Sequence, residues 1–218
     1  MMAIKRFVAT ADTTITNAFL EDLTTRASGA NTGRADSLEV FSVYGQVSGS
    51  ASSLYTGTAT GSSGFSQELS RILVKFPVTT GDDSVNSIQA KRNSGDIPAS
   101  GNVSFFLKMY NVAHHESLPV AAKLNIFGVS SASWEEGRGV DLDTYSDRTL
   151  NGIGANWVNA SNTETWPTPG GTYHTGSDNK NLLYSQTLPN GNEDIELNIS
   201  ALVEEWIAGT KSNYGLGI

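Results

Sequence analysis

The chain contains no cysteine. That single absence removes disulfides, thiolate metal sites and cysteine nucleophiles together, and it leaves the redox compartment unmarked. Charge is scarce as well: only 17% of the 218 residues are Asp, Glu, Lys or Arg, and acids outnumber bases 22 to 14, for a net charge of -8. An acidic balance repels phosphate backbones and anionic lipid, and no basic run is longer than Lys5-Arg6 or Lys91-Arg92. Nucleic acid is therefore not an expected partner. Long apolar runs are missing too, since no stretch approaches the about 20 residues that a membrane helix needs. The amino terminus, "MMAIKRFVATADTTI", carries two basic residues, but Thr10, Asp12, Thr13 and Thr14 interrupt any apolar segment of signal-peptide length behind them. The expectation is a protein made in a cell's cytoplasm without a signal peptide and not embedded in a membrane.

What is present is alternation. With 38% hydrophobic positions the chain can bury a sizeable core, and residues 1–218 are read as one domain. In "SLEVFSVY" Leu38 and Val40 face one way and Phe41 and Val43 the other, and in "RILVKFPV" Ile72, Val74, Phe76 and Val78 share a face. "VSFFLKMYNV", "KLNIFGV", "NLLYSQTL" and "DIELNI" repeat the period of two, separated by Gly, Asn, Ser and Pro. One segment reads as a helix: in "SALVEEWIAG" Leu202, Val203, Trp206 and Ile207 make an apolar face, Ser200 is placed to cap the start and Gly209 to end it. Many strands with one short helix predict an all-β protein, an antiparallel β-sandwich of jelly-roll type with a short C-terminal helix.

Two long irregular stretches complete the pattern. Residues 45–67 carry no charge before Glu68 and are rich in Gly, Ser and Thr, whereas residues 137–181 hold Trp157, Trp166, Tyr173 and His174 among Pro and Gly. At the carboxyl end "NYGLGI" stops on an apolar alternation, which predicts that the final strand is incomplete at Ile218.

Several pieces taken in order resemble a known family. "ATADTTITNA", "SRILVKFPV", "SASWEEGRGVD", Asn156-Trp157 and "LNISALVEEWIAGTKSNYGLGI" are similar to the DNRLRE-type domain, also called the disaggregatase-related repeat domain. The resemblance covers most of the chain and is strongest in the last two dozen residues. It implies an antiparallel jelly-roll β-sandwich, found in surface and secreted proteins of which some bind polysaccharide, and also in virion proteins of tailed phages. The start "MAIKRF", running directly into the domain, looks more like proteins of marine tailed phages than like secreted enzymes.

The residues able to carry chemistry are few. "ASWEEGRGVDLDTY" places Glu135, Glu136, Asp141 and Asp143 within nine positions. Glu135 and Glu136 are adjacent, so on an extended chain they point to opposite faces and cannot be the opposed acids of a glycosidase. Asp141 and Asp143 with Glu136 form a candidate calcium set, completed by loop carbonyls; the other reading is a solvated loop whose acids cap turns. His114 and His115 diverge for the same reason as the glutamates, and no third zinc ligand is in view. Trp157 and Trp166 with Tyr173 either form a stacking platform for sugar rings or anchor a long loop.

The expected function follows from the resemblance and from this shortage of catalytic groups. It is a non-enzymatic structural component of a tailed-phage virion: a fibre, a decoration protein or a tail-associated adhesion protein. Such a chain would act as a homo-oligomer through contacts with other virion proteins or the host surface. The alternative is a carbohydrate-binding module for a host-surface glycan, assisted by calcium, and a third reading is a polysaccharide-degrading enzyme using the loop acids.

Overall fold

The computed structural model describes residues 4–19, 26–45, 66–112, 121–140 and 154–218. Among them are eight strands, two short α-helices and one 3-10 helix, and the pairings with a defined register are all antiparallel. The protein is all-β in character. Two units interleave along the chain: the first takes its residues from 1–10, 74–130 and 173–218, the second from 11–73 and 131–172.

The second unit contains strands β1 (Ala11–Thr16), β2 (Ser42–Gly45) and residues 66–73 of β3 (Ser66–Lys75), with β1 and β2 both neighbouring β3. β2 and β3 pair in the register Ser42↔Leu69 to Gly45↔Ser66. β1, with the sequence "ADTTIT", is buried along Thr13–Thr16. Threonine's β-branched side chain suits an extended backbone, and burial is sustained because the polar groups find partners. Thr14 N donates to Thr32 Oγ1 at 3.0 Å, and Thr16 Oγ1 donates to Leu69 O at 2.8 Å.

The first unit contains α1 (Ile88–Asn93), β4 (Phe106–Met109), β5 (Ala122–Gly128), a 3-10 helix (Ser177–Leu182), β6 (Tyr184–Leu188), β7 (Ile195–Asn198), α2 (Ser200–Ala208) and β8 (Leu216–Gly217). β5 pairs with β6 on one side and β8 on the other, while β4 and β7 form a separate pair. Leu107, Ile126, Leu182, Leu202, Trp206 and Leu216 are among its buried side chains.

Helix α2 follows the apolar spacing read from the sequence, with Leu202, Val203 and Trp206 buried and Gly209 closing it at φ +75°. Its start differs from expectation. Ser200 is the first helical residue rather than the cap: its Oγ accepts from Phe105 N at 2.8 Å, the cap position falls on Ile199, and the amides of the first turn are met from outside, Ser200 N by Asn198 Oδ1 and Leu202 N by the Tyr184 hydroxyl. Helix α1, absent from the sequence reading, is capped by Ser87, whose Oγ accepts from Ala90 N. Arg92 in α1 forms a two-pronged ion pair with Glu204 in α2, both contacts at 2.7 Å, and this pairing holds the Glu204 carboxyl below its usual range.

Candidate functional site

The segment around Glu135 and Glu136 lies in the second unit and is organised by a residue the sequence did not single out, Asn31. Only 6% of Asn31 is exposed, yet its amide is fully engaged. Nδ2 donates to Glu136 O at 2.8 Å and to Ala155 O at 2.7 Å. Oδ1 accepts from Gly139 N at 2.9 Å and from Gly33 N at 3.2 Å. One buried side chain therefore fastens three separate chain segments. The approach is close enough that a Cβ on Gly33 would collide with the Glu136 carbonyl, and one on Gly137 would collide with the Asn31 amide. Gly137 also adopts φ +87°, where a side chain is strained regardless of space.

The two glutamates part as adjacency requires. Glu135 is exposed, and its backbone is paired: its N–H donates to Ala160 O at 3.0 Å and its C=O accepts from Ala155 N at 2.7 Å. Glu136 is half-buried, and its Oε1 accepts from Asp12 N at 3.0 Å. Burial, and next the Glu136 charge, raise the Asp12 carboxyl above its ordinary value. A carboxyl raised in the folded state favours folding below its unfolded pKa, and that advantage is lost as pH rises through the folded value. Asp12→Asn is therefore expected to raise the melting temperature at pH 7, with the difference from the parent narrowing as pH falls through the raised value. Parallel thermal melts of the two proteins across pH check this, and a constant difference would sink it.

Of the candidate calcium set, Glu136 is described above, while Asp141 and Asp143 lie outside the described residues, as do His114 and His115. Among the described residues no three His, Asp or Glu side chains are grouped.

The aromatic candidates fall in different places. Trp157 and Trp166 belong to the second unit and are buried, at 9% and 4% exposure. The Trp157 ring lies under the Arg71 guanidinium, 5.0 Å from centroid to carbon, and Arg71 Nη1 donates to Gly170 O beside it. Trp166 Nε1 donates to Asn156 O at 2.9 Å, and Asn156 Oδ1 in turn accepts from Val158 N and Asn159 N. Trp134 is buried in the same unit. Tyr173 belongs to the first unit, where it bridges to Val129 and lies 6.3 Å from the Phe127 ring.

No protein-family model, curated protein or solved structure matches the chain. No helix among the described residues is long and apolar enough to cross a membrane.

Chemically, the described part of this site binds loops. Asn31, Glu136, Asn156 and the indole of Trp166 all direct their polar atoms at backbone groups of the same unit. None of these contacts joins two side chains in the way that primes a nucleophile.

Proposed function

We propose that this chain is a non-enzymatic structural component of a tailed-phage virion, a fibre, decoration or tail-associated adhesion protein. It would be built as a jelly-roll β-sandwich and act as an oligomer through contacts with other virion proteins or the host surface. The observation that carries the reading is the employment of the chemistry-bearing residues. Glu136 holds the amide of Asp12, and both tryptophans of the 137–181 stretch are buried, one under Arg71 and one bonded to Asn156. Residues so committed make a rigid scaffold rather than a reacting centre. The separate β4–β7 pair is in keeping with the second sheet that a sandwich requires. The setting in a virion rests on the DNRLRE-type resemblance.

The test is to purify phage particles from the source that encodes the chain, wash them in high salt, and measure its peptides by mass spectrometry against the major capsid protein. A constant stoichiometry in washed, density-banded particles is expected. Recovery only in the soluble lysate, with turnover of a polysaccharide by the purified chain, would overturn the reading.

A further inference from the structure

The β4–β7 pair in the first unit has two outer edges, and they are treated differently. Ile199 N donates to Phe105 O at 2.9 Å, and Asn111 N donates to Asp194 Oδ1 at 2.9 Å, so the odd-numbered residues of β4 direct their backbone groups at β7. By the alternation of an antiparallel ladder, the N–H and C=O groups of Phe106 and Lys108 face outward, as do those of Glu196 on the other strand; Tyr110, just past β4, continues the same alternation ahead of Asn111, whose N–H turns toward Asp194.

On the β7 side these outward groups are taken. Gln186, from β6, donates through Nε2 to Asp194 O at 2.7 Å and accepts through Oε1 from Glu196 N at 3.0 Å. Its side-chain amide makes the two bonds that one residue of an added strand would make. On the β4 side the outward groups of Phe106, Lys108 and Tyr110 have no hydrogen-bond partner among the described residues. The side chains of the same three residues share one face. Phe106 is 54% exposed and Tyr110 68% exposed, and between them Lys108 pairs with Glu196 across the strands at 2.9 Å.

An open edge bearing exposed aromatics is a template for another strand. The order of residues suits a second copy of this chain as the occupant. Phe106 and Tyr110 stand two positions either side of Lys108, so a two-fold axis at Lys108 sets Phe106 of each copy opposite Tyr110 of the other. The outward backbone groups of both strands then fall into register, as an isologous contact requires. We infer that β4 is a self-association edge, across which a second copy of this chain adds antiparallel through Phe106–Tyr110 to form a four-stranded β7-β4-β4-β7 sheet. The two Lys108 side chains meet at the axis, where like charges oppose pairing, but each is already matched by its own Glu196. Each chain also carries a net charge of -8, so added salt, which screens exposed charges, strengthens the association.

The full chain in sedimentation velocity should show a species of twice its 23.1 kDa mass, increasing with salt. Lys108→Pro removes an outward N–H while leaving the amides of Leu107 and Met109 on β7, and it should return the protein to monomer with its fold kept by circular dichroism. A second variant does not rely on proline being tolerated. Because the chain has no cysteine, Lys108→Cys introduces one thiol at the axis, within disulfide reach of its symmetry mate, and should crosslink under mild oxidant. Lys123→Cys, on an exposed position of β5, should not. A wild-type monomer at every concentration and salt, or a dimer in which Lys108→Cys crosslinks no better than Lys123→Cys, would overturn the inference. This inference deepens the oligomeric part of the proposed function, and the two fail separately. A monomer found in washed particles removes only the strand pairing, and a β4 dimer absent from particles removes only the virion role.

Discussion

Asn31→Ala is expected to destabilise the protein by about 3–5 kcal/mol, through the buried partners it leaves behind rather than through the bonds it removes. Ala155 is fully buried and Gly139 is buried; without the amide, the carbonyl of the first and the N–H of the second keep no bond from residue 31. Each such orphan costs about 1–3 kcal/mol. Three of the four tryptophans, Trp134, Trp157 and Trp166, belong to the same unit as Asn31, so urea unfolding followed by tryptophan fluorescence reads the loss as a lowered midpoint. Asn31→Asp separates bonding from packing. It keeps the acceptor for Gly33 N and Gly139 N, but at neutral pH it sets a carboxylate against the carbonyls of Glu136 and Ala155. A protonated aspartate regains one donor, so the Asn31→Asp deficit should shrink as pH falls while that of Asn31→Ala should not. Equal deficits at both pH values would show that the amide's bonds are not what matters.

How far the fold was legible depends on how each strand divides its faces. β4, β5, β6 and β7 follow apolar alternations visible in the sequence, because exposure alternates along each, whereas β3 stood out by its apolar residues although Ile72, Leu73 and Val74 are buried on both faces. β1 escaped that rule: Thr13, Thr14, Ile15 and Thr16 are all buried, so there is no contrast to detect, and polar threonine disguises a core strand. "SLEVFSVY" reads as eight residues of strand, but only its last three, Ser42 to Tyr44, belong to β2; Phe41 bonds through its N–H to the Ser70 hydroxyl. α1 is six residues long with only Ile88 buried, too short to show a period. In the candidate site the divergence of Glu135 and Glu136 was readable from their adjacency. Asn31 was not, since its partner Glu136 lies 105 positions away in the chain. A side chain's bonds to distant backbone leave no local signature in composition or spacing.

Trp157→Ala is the second large effect, expected to cost about 3–5 kcal/mol in the same urea experiment, as truncation of a buried tryptophan does. The ring supports two neighbours at once. Arg71 lies over its face, and Gly170 packs so close that a Cβ there would stand 2.8 Å from Cζ2. Removing the indole leaves a void beneath a guanidinium that also serves the Gly170 carbonyl. Trp166→Phe probes the other tryptophan more gently, keeping a ring but deleting the donor to the buried Asn156, for a loss of about 1–3 kcal/mol from the orphaned carbonyl. These magnitudes also divide the structural reading from the glycan reading. A stacking platform offers its face to sugar, so Trp157→Ala there would abolish polysaccharide-induced fluorescence changes while leaving the urea midpoint near that of the parent. A ring that anchors the loop does the reverse: the midpoint falls, and polysaccharide leaves the parent's fluorescence unchanged.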